Sequence, residues 1–316
     1  MKNYKPPYKI TSQILKLSTK ISEELTKLEF ISSSKSTVML RKKNRIKTLA
    51  GTLEIEGNYL GEEKITAILD GKRVLASVQE LSEVQGAIKA YEKLDSFSFD
   101  KMDDLLLTHK ILMEDILKDA GSFRSVNVKV GEHIAPQHNM VSNLMKDLFG
   151  WLKTSDEHIL LKSCIFHYEF EFIHPFSDGN GRIGRLWQSV ILNTYNPLFS
   201  LLPIESIVRD YQEEYYKAIE DSTSEAESTI FIEFMLEMIL KAIDDTQKSD
   251  LKSDLKSDQK ILLLIKENKN ITIKELCELM SMSESGIKKV IKKLKDENKL
   301  IRVGSLKAGH WEIIHT

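Results

Sequence analysis

Apolar residues recur every three to four positions along most of this 316-residue chain, a spacing typical of amphipathic helices. In the first such segment, residues 11–31, the apolar side chains share one face, and Thr11 or Ser12 stands at the N-cap position. The further segments with this spacing are 35–50, 74–94, 101–117, 182–195 and 227–243. Only six prolines and 14 glycines interrupt the chain. The pattern predicts a mostly helical protein.

Two segments depart from this spacing. Residues 157–173 are apolar on nearly every side, which predicts a central buried helix. Between residues 123 and 137, valines alternate with polar residues and Gly131 supplies a turn, which predicts a short β-hairpin rather than a core sheet.

The C-terminal part of the chain begins with a four-residue Lys-Ser-Asp-Leu repeat over 248–258. In a helix this repeat places like charges four residues apart, which costs a few tenths of a kcal/mol per pair. We therefore interpret 246–259 as a linker, with a continuation of the preceding helix as the alternative. Beyond it, the spacing predicts helices and strands at 260–268, 272–281, 284–297, 301–303 and 310–314.

That order of elements resembles a small α/β winged helix-turn-helix domain over residues 260–316. This segment carries 12 Lys and Arg against 7 Asp and Glu, whereas the rest of the chain is net negative. The candidate recognition helix presents Lys288, Lys289, Lys292, Lys293 and Lys295. These residues suit contacts to phosphates, although few side chains there suit base reading. Since winged helices also dock proteins, the partner of 260–316 is either DNA or a protein.

The composition of the chain excludes few classes of function. The formal net charge is −2, so the total predicts neither a nucleic-acid nor a membrane partner. Cys164 and Cys277 lie far apart, so we expect no disulfide and a reducing cytoplasm. The N-terminus shows no signal peptide, and no apolar run is long enough to span a membrane. The oligomeric state, including a homo-oligomer, stays open.

The densest chemistry lies in the string His174-Pro175-Phe176-Ser177-Asp178-Gly179-Asn180-Gly181-Arg182-Ile183-Gly184-Arg185. The residue before a proline leaves the α region, so the buried helix should end near His174, whose ordinary pKa of ~6.5 suits a general base.

The remaining groups of the string suit a phosphate chain. Gly179 and Gly181 allow special backbone conformations that turn N–H groups toward one point, and Asp178 offers oxygen to Mg²⁺. The next helix, opening at Arg182, places Arg185 three residues later on one face, so that two guanidinium groups can bind neighbouring phosphates. The string therefore predicts phosphate chemistry beside a base.

The string resembles the signature HPFxDGNGRxxR of the Fic family, with every fixed position filled. The resemblance implies an all-α Fic fold with a short β-hairpin flap. It also implies an enzyme that transfers AMP from ATP to a Ser, Thr or Tyr hydroxyl of a target protein or of itself. In that case His174 is the catalytic base, Asp178 holds Mg²⁺, and Phe176 is a buried anchor of the loop.

A second motif, Thr52-Leu53-Glu54-Ile55-Glu56-Gly57-Asn58, matches the inhibitory pattern [ST]xxxE[GN] of the same family. We expect Glu56 in the last turn of a short helix, with Gly57 as a left-handed cap. A carboxylate is disfavoured at a helix C-terminus, so an arginine partner would relieve it, and the resemblance supplies Arg185. The alternative is a solvated Glu56.

The resemblance covers about residues 50–240 and supplies the remaining candidate residues of the site. The hairpin resembles the family's flap, with a purely structural hairpin as the alternative. Tyr215 and Tyr216 resemble the adenine end of the site, with core tyrosines as the alternative. The predicted ATP-binding residues are Glu56, Val130, Gly131, Glu132, His133, Gly179, Asn180, Gly181, Arg182, Ile183, Gly184, Arg185, Tyr215 and Tyr216.

The predicted organisation is an N-terminal helical region (1–100) with the inhibitory motif at 52–58, a catalytic domain (101–245), a linker (246–259) and a winged helix-turn-helix domain (260–316). The leading hypothesis is an adenylyltransferase inhibited by Glu56. One alternative is an enzyme of the same fold that removes AMP or uses another nucleotide donor. Another is a nucleotide-sensing regulator that binds DNA.

Overall fold

The computed structural model of the chain describes residues 4–31, 37–131, 133–254, 257–280, 282–304 and 309–314. The chain divides into two compact units, Met1–Gln247 and Lys248–Thr316. The α-helices of the first unit are α1 (Ser12–Ile31), α2 (Thr37–Ile55), α3 (Gly61–Leu69), α4 (Val78–Glu92), α5 (Met102–Met113), α6 (His138–Thr154), α7 (Ile159–Ile173), α8 (Asn180–Tyr195), α9 (Ile204–Asp210), α10 (Gln212–Ser224) and α11 (Thr229–Asp254).

The core of the first unit forms around α7 and α8, which pack against each other. Phe166 and Phe170 of α7 and Trp187 of α8 are fully buried. As predicted, α7 is buried around nearly its whole circumference. A β-carbon at Gly184 would lie 2.5 Å from the carboxylate of Glu171, so the glycine lets the two helices approach closely. This packing fixes the two ends of the loop that joins α7 to α8.

Helix ends follow the local sequence. The Thr11 hydroxyl accepts a hydrogen bond from the N–H of Ile14, so Thr11 rather than Ser12 caps α1. Ser77 and Glu80 form a capping box at the start of α4. Helices α3, α6, α9 and α10 are not among the elements predicted from the spacing. Helix α2 continues to Ile55, so the motif around Glu56 ends a long helix rather than a short one.

The predicted hairpin is present but short. Strands β1 (Lys129–Val130) and β2 (His133–Ile134) pair antiparallel, with Val130 opposite His133. The valine alternation before residue 129 does not extend the strand.

The four-residue repeat is helical as far as Asp254, so the structure contradicts a non-helical linker over that part. Residues 255 and 256 lie outside the described ones. Repulsion of a few tenths of a kcal/mol per pair does not stop a helix that is already nucleated, because each added residue gains a hydrogen bond without a new nucleation cost.

The second unit has the predicted winged helix-turn-helix order. It contains α12 (Ser257–Glu267), α13 (Ile273–Met280), α14 (Glu284–Asp296), β3 (Leu300–Val303) and β4 (His310–Ile313). The two strands pair antiparallel, with Leu300 opposite Ile313. Its separate core is built from Ile261, Ile265, Ile271, Leu276, Ile287, Ile291, Leu294, Leu300 and Trp311. Within the described residues of the chain, no helix has both the length and the apolar character needed to cross a membrane.

Candidate active site

The loop that carries the predicted base begins where α7 ends. His174 directly follows α7, and its N–H still donates to the carbonyl of Phe170 at 2.9 Å. Its backbone is left-handed, with φ 49° and ψ 62°, so the residue before the proline leaves the right-handed α region and the helix ends there, as predicted. Its own carbonyl instead accepts a hydrogen bond from Arg124 Nε at 2.8 Å, which holds this uncommon conformation.

Phe176 anchors the loop, as the resemblance implied. Its side chain is fully buried and stacks on the ring of His109, with 3.7 Å between centroids. The side-chain amide of Asn180 accepts the N–H of Phe176 at 2.9 Å and donates to its carbonyl at 3.0 Å. The Asn180 side chain therefore closes the loop, and only its backbone is left for a ligand.

The two glycines of the turn serve different purposes. Gly179 has φ 82°, as expected for a residue that takes a conformation closed to most others. Helix α8 then starts at Asn180, two residues before the predicted start at Arg182. Gly181 lies within the helix without a positive φ, so the predicted reason for it is wrong. A β-carbon there would collide with the carboxylate of Glu56 and lie 3.0 Å from Arg185 Nη1.

Arg185 pairs with Glu56, as predicted. Its Nη2 donates to Glu56 Oε1 at 2.7 Å. The same nitrogen and Nε also donate to the carbonyl and hydroxyl of Thr52, each at 3.2 Å. The pair is thus a single nitrogen–oxygen contact supported by hydrogen bonds to Thr52, rather than a bidentate one. Burial by itself raises the pKa of Glu56, but the charge and hydrogen bond of Arg185 outweigh it, so the pKa lies below its ordinary value.

Arg182 does not act beside Arg185 in this structure. Its Nη2 lies 3.5 Å from Asp178 Oδ1 and its Nη1 lies 3.9 Å from Glu83 Oε1. Although the two arginines are three residues apart, one turns toward α4 and the other toward α2. In this structure the two guanidinium groups therefore point toward different helices, and their binding of neighbouring phosphates stays a prediction.

A cleft of about 750 Å³ opens beside these residues. The predicted site residues that line it are Glu56, Val130, Gly131, His133, His174, Gly181, Arg185, Tyr215 and Tyr216. The predicted residues that do not line it are Asp178, Gly179, Asn180, Arg182, Ile183 and Gly184. Ile183 is fully buried in the core. Glu132 lies outside the described residues.

The two tyrosines differ. Tyr215 is buried, and its hydroxyl donates to Nε2 of the buried His167 at 3.0 Å, so the core interpretation fits it. Tyr216 is half-exposed, and its hydroxyl donates to the carbonyl of Ile55 at 3.4 Å. Of the two, Tyr216 offers the more accessible face to a base.

Burial lowers the pKa of His174 to about 4, with further lowering by the charge of Arg124. The ordinary value that the sequence analysis used is therefore too high. In the free protein the imidazole is unprotonated throughout the neutral range, which is the form that a general base requires.

Sequence reasoning missed Glu171. Its side chain is only 10% exposed, it lines the cleft, and burial raises its pKa to about 8. The signal that could have found it is its position three residues before His174, in the last turn of the buried helix. The analysis also missed the lining residues of α10, namely Ile219, Glu220, Thr223 and Ser224.

The predicted magnesium ligand has a suitable environment. Asp178 is about half-exposed, and its Oδ1 accepts the N–H of Gly179 at 2.6 Å. Among the described residues, no group of three or more His, Cys, Asp or Glu side chains could hold a metal by itself. One accessible carboxylate fits Mg²⁺, which takes its other ligands from phosphates and water.

The second unit contains its own cleft of about 720 Å³ beside α14. Lys288, Lys292, Lys295 and Arg302 line it, and the Arg302 guanidinium lies 4.6 Å from the centre of the Trp311 ring. The other two predicted lysines do not line it. Lys293 bonds to Asp258 at 2.9 Å, and Lys289 is exposed.

Known proteins share both units. The model of the Fic/DOC family matches residues 98–192, and the model described as winged helix-turn-helix DNA-binding matches residues 254–301. The crystal structure of a Fic family protein from Desulfovibrio desulfuricans G20 is similar over 99% of both chains, with 34% identity and a TM-score of 0.74. The chain therefore belongs to the Fic family, with an all-α Fic fold followed by a winged helix-turn-helix domain.

Curated relatives include proteins named protein adenylyltransferase Fic. The one from Culex quinquefasciatus is 29% identical over 203 residues, or 60% of this chain, and the one from Nematostella vectensis is 32% identical over 149 residues, or 44% of this chain. The chain spans 39% and 35% of their respective lengths. The structure of Fic-1 from C. elegans shares the fold, with a TM-score of 0.63 and 22% identity over 77% of this chain and 73% of that one.

Proposed function

We propose that this chain is a protein adenylyltransferase that moves AMP from ATP to a Ser, Thr or Tyr hydroxyl, and that Glu56 restrains it. One observation carries the proposal: His174 lines the same cleft as Arg185, and Arg185 is bound to Glu56 at 2.7 Å. A base, a buried guanidinium and a carboxylate that competes for it are the parts that such an enzyme requires. The adenylyltransferase relatives support the same reaction class.

The reaction assigns a simple role to the base. His174 accepts the proton of the target hydroxyl, whose oxygen then bonds to the α-phosphorus of ATP. The bond from that phosphorus to the oxygen bridging to the β-phosphate breaks, and diphosphate leaves. Arg185 binds the outer phosphates, and Asp178 holds Mg²⁺, which neutralises charge on the departing group when bound. Because the unprotonated imidazole is already the major form at neutral pH, no prior deprotonation is needed.

Glu56 restrains this reaction by occupying Arg185. A phosphate oxygen and the Glu56 carboxylate both attract the same buried guanidinium, and like charges repel across the cleft. ATP that binds while Glu56 stays in place should settle with its α-phosphorus out of line with the target hydroxyl. A displacement of ~1 Å can cost ~10²-fold in rate, so this one contact is sufficient to silence the enzyme.

The decisive experiment compares the full chain with its Glu56→Gly variant, using labelled ATP, UTP and GTP with Mg²⁺. We expect a gain of ~10²-fold in AMP transfer, including onto the protein itself, with ATP as the preferred donor. Mass spectrometry identifies the modified hydroxyl. Incubating AMP-modified protein with the unlabelled wild type tests the alternative of AMP removal, which would release the modification.

Two controls sharpen the comparison. Glu54→Gly removes a carboxylate from the same motif, but Glu54 pairs with Arg209 at 2.7 Å rather than with Arg185, so no gain is expected. Arg185→Ala should also show no gain, because it loses the phosphate contact together with the restraint. Equal labelling by wild type and Glu56→Gly at saturating ATP would contradict the proposed restraint.

A second function, binding of DNA by the winged unit, is favoured by its cationic cleft. Four basic side chains and the Trp311 ring surround that cleft, which suits a phosphate backbone. We expect the full chain to retard duplex DNA in a gel, with affinity falling steeply as salt rises. Lys292→Gln should weaken binding, whereas Lys293→Gln, which removes a lysine already bonded to Asp258, should change it less. Absence of retardation at low salt would favour a protein partner.

A further inference from the structure

Arg124 is a buried cation outside the chemistry described so far. The residue is only 3% exposed. The hydrogen-bond partners that its guanidinium makes among the described residues are backbone carbonyls rather than carboxylates. Burying a charge costs free energy unless its donors are hydrogen-bonded, so the surrounding chain must keep these backbone carbonyls in place around the guanidinium.

The four carbonyls come from three separate segments. Nε donates to His174 at 2.8 Å, and Nη2 lies 3.4 Å from the carbonyl of Ile173, which is the last residue of α7. Nη1 donates to Val126 at 2.7 Å and Nη2 to Pro136 at 2.5 Å. Val126 precedes β1 and Pro136 follows β2, so these two carbonyls are the feet of the hairpin.

The backbone of Arg124 also connects the start of the hairpin segment to the loop after α7. The N–H of Arg124 donates to the carbonyl of Pro175 at 2.9 Å. The last carbonyls of a helix lack partners within the helix, and a cation is favoured beside them. A guanidinium can meet this need and still reach the hairpin, since its donors point in several fixed directions.

From these contacts we propose that Arg124 is a positioning residue, which holds the His174 backbone and both feet of the hairpin as one unit. The proposal rests on the function proposed above. An exposed hairpin such as this one can pair with an extended segment of a target, so the consequence of the proposal is that the docked target and the base keep a fixed relation. Arg124 itself does not line the cleft and touches no reacting atom.

A lysine at position 124 cannot form the same set of hydrogen bonds. Its single ammonium group lacks the planar fork that reaches three segments, although it keeps the charge. A methionine keeps much of the length and loses both charge and donors. The two substitutions therefore separate the effect of the charge from the effect of the fork.

The first test uses the Glu56→Gly chain, in which transfer is expected to be measurable. Arg124→Met should reduce AMP transfer at saturating ATP by ~10²-fold, while the dissociation constant for ATP stays unchanged. Arg124→Lys should also lose activity, but less. Burial is the main cause of the low pKa of His174 and the Arg124 charge adds to it, so the acid limb of kcat/KM should move to higher pH in Arg124→Met only.

Lys162→Met is the matched control. Lys162 is also a buried cation, and its ammonium group donates to a backbone carbonyl, that of Leu152 at 3.3 Å. It lies in the first half of α7, away from the loop. An equal fall of transfer in Lys162→Met and Arg124→Met, or a parallel loss of ATP affinity in Arg124→Met, would overturn the proposal.

Amide hydrogen exchange tests the same coupling without nucleotide or activity. In Arg124→Met, exchange should quicken together in residues 126–136 and in 174–178, and in Lys162→Met in neither. Faster exchange in only one of the two segments overturns the proposal. If Glu56→Gly transfers no AMP, the proposed function fails, and the exchange result still decides the role of Arg124.

Discussion

The loop 174–179 and the hairpin 129–134 border the same cleft, but they are held in different ways. The loop is bound from several elements: His109 stacks on Phe176, and the Asn180 amide bonds to the Phe176 backbone. The hairpin has two residue pairs, and Val130 and Ile134 are 42% and 77% exposed.

The difference separates chemistry from recognition. The loop has its position set by the core before any ligand arrives, as a reaction requires when ~1 Å of displacement matters. Arg124 holds the feet of the hairpin, but two short strands gain little stability by themselves, so the segment between the feet can adjust to a partner. In this molecule the loop, which the core holds in position, carries the base, whereas the more exposed hairpin offers apolar side chains to a docking partner.

The largest effect should come from the base in the loop. His174→Ala should lower AMP transfer by ~10²–10⁴-fold in the Glu56→Gly chain, while calorimetry shows ATP binding largely intact. His158→Ala, at the opposite end of α7, serves as the control and should keep most activity. Transfer at the parental rate in His174→Ala would show that another group accepts the proton.

The next effect is on folding. Phe176→Ala removes a fully buried ring between His109 and Phe170, so it should lower the free energy of unfolding by ~3–5 kcal/mol. Denaturant titration measures this loss. A change below ~1 kcal/mol would mean that the loop keeps its position without its anchor and that the contrast with the hairpin is overstated.

The smallest effect should come from the hairpin. Ile134→Ser replaces an exposed apolar side chain, so it should change the free energy of unfolding by no more than ~0.5 kcal/mol. Labelling of the target protein should fall more than self-labelling if the hairpin docks the target. A loss of stability like that of Phe176→Ala would show that the hairpin belongs to the core.

The sequence predicts local features of this site well and long-range ones poorly. The helical spacing predicts α1 and α8, apolar residues on nearly every side predict α7, and the resemblance of two short motifs to the Fic family implies the Glu56–Arg185 pair. The role of Arg124 and the helix α9 depend on contacts with segments far away in the chain, so the sequence did not predict them. Helices α3, α6 and α10 were also not predicted, although the apolar residues of α6 share one face and it packs on the neighbouring α7. Arg182 shows both cases, since its nearer charge, Asp178, lies in the same string, whereas Glu83 comes from α4.

Gly181 has a consequence for how such chains can vary. Helix geometry would accept alanine at this position, but the space that a methyl group needs is taken by the Glu56 carboxylate. The two positions are therefore constrained together, although they lie 125 positions apart in the chain. Since Arg185 Nη1 also lies 3.0 Å from that β-carbon, a homologue can carry a larger residue at 181 only where position 56 lacks a carboxylate and the arginine turns away. Comparing these two positions across many sequences would show, without any assay, which chains have kept the ion pair.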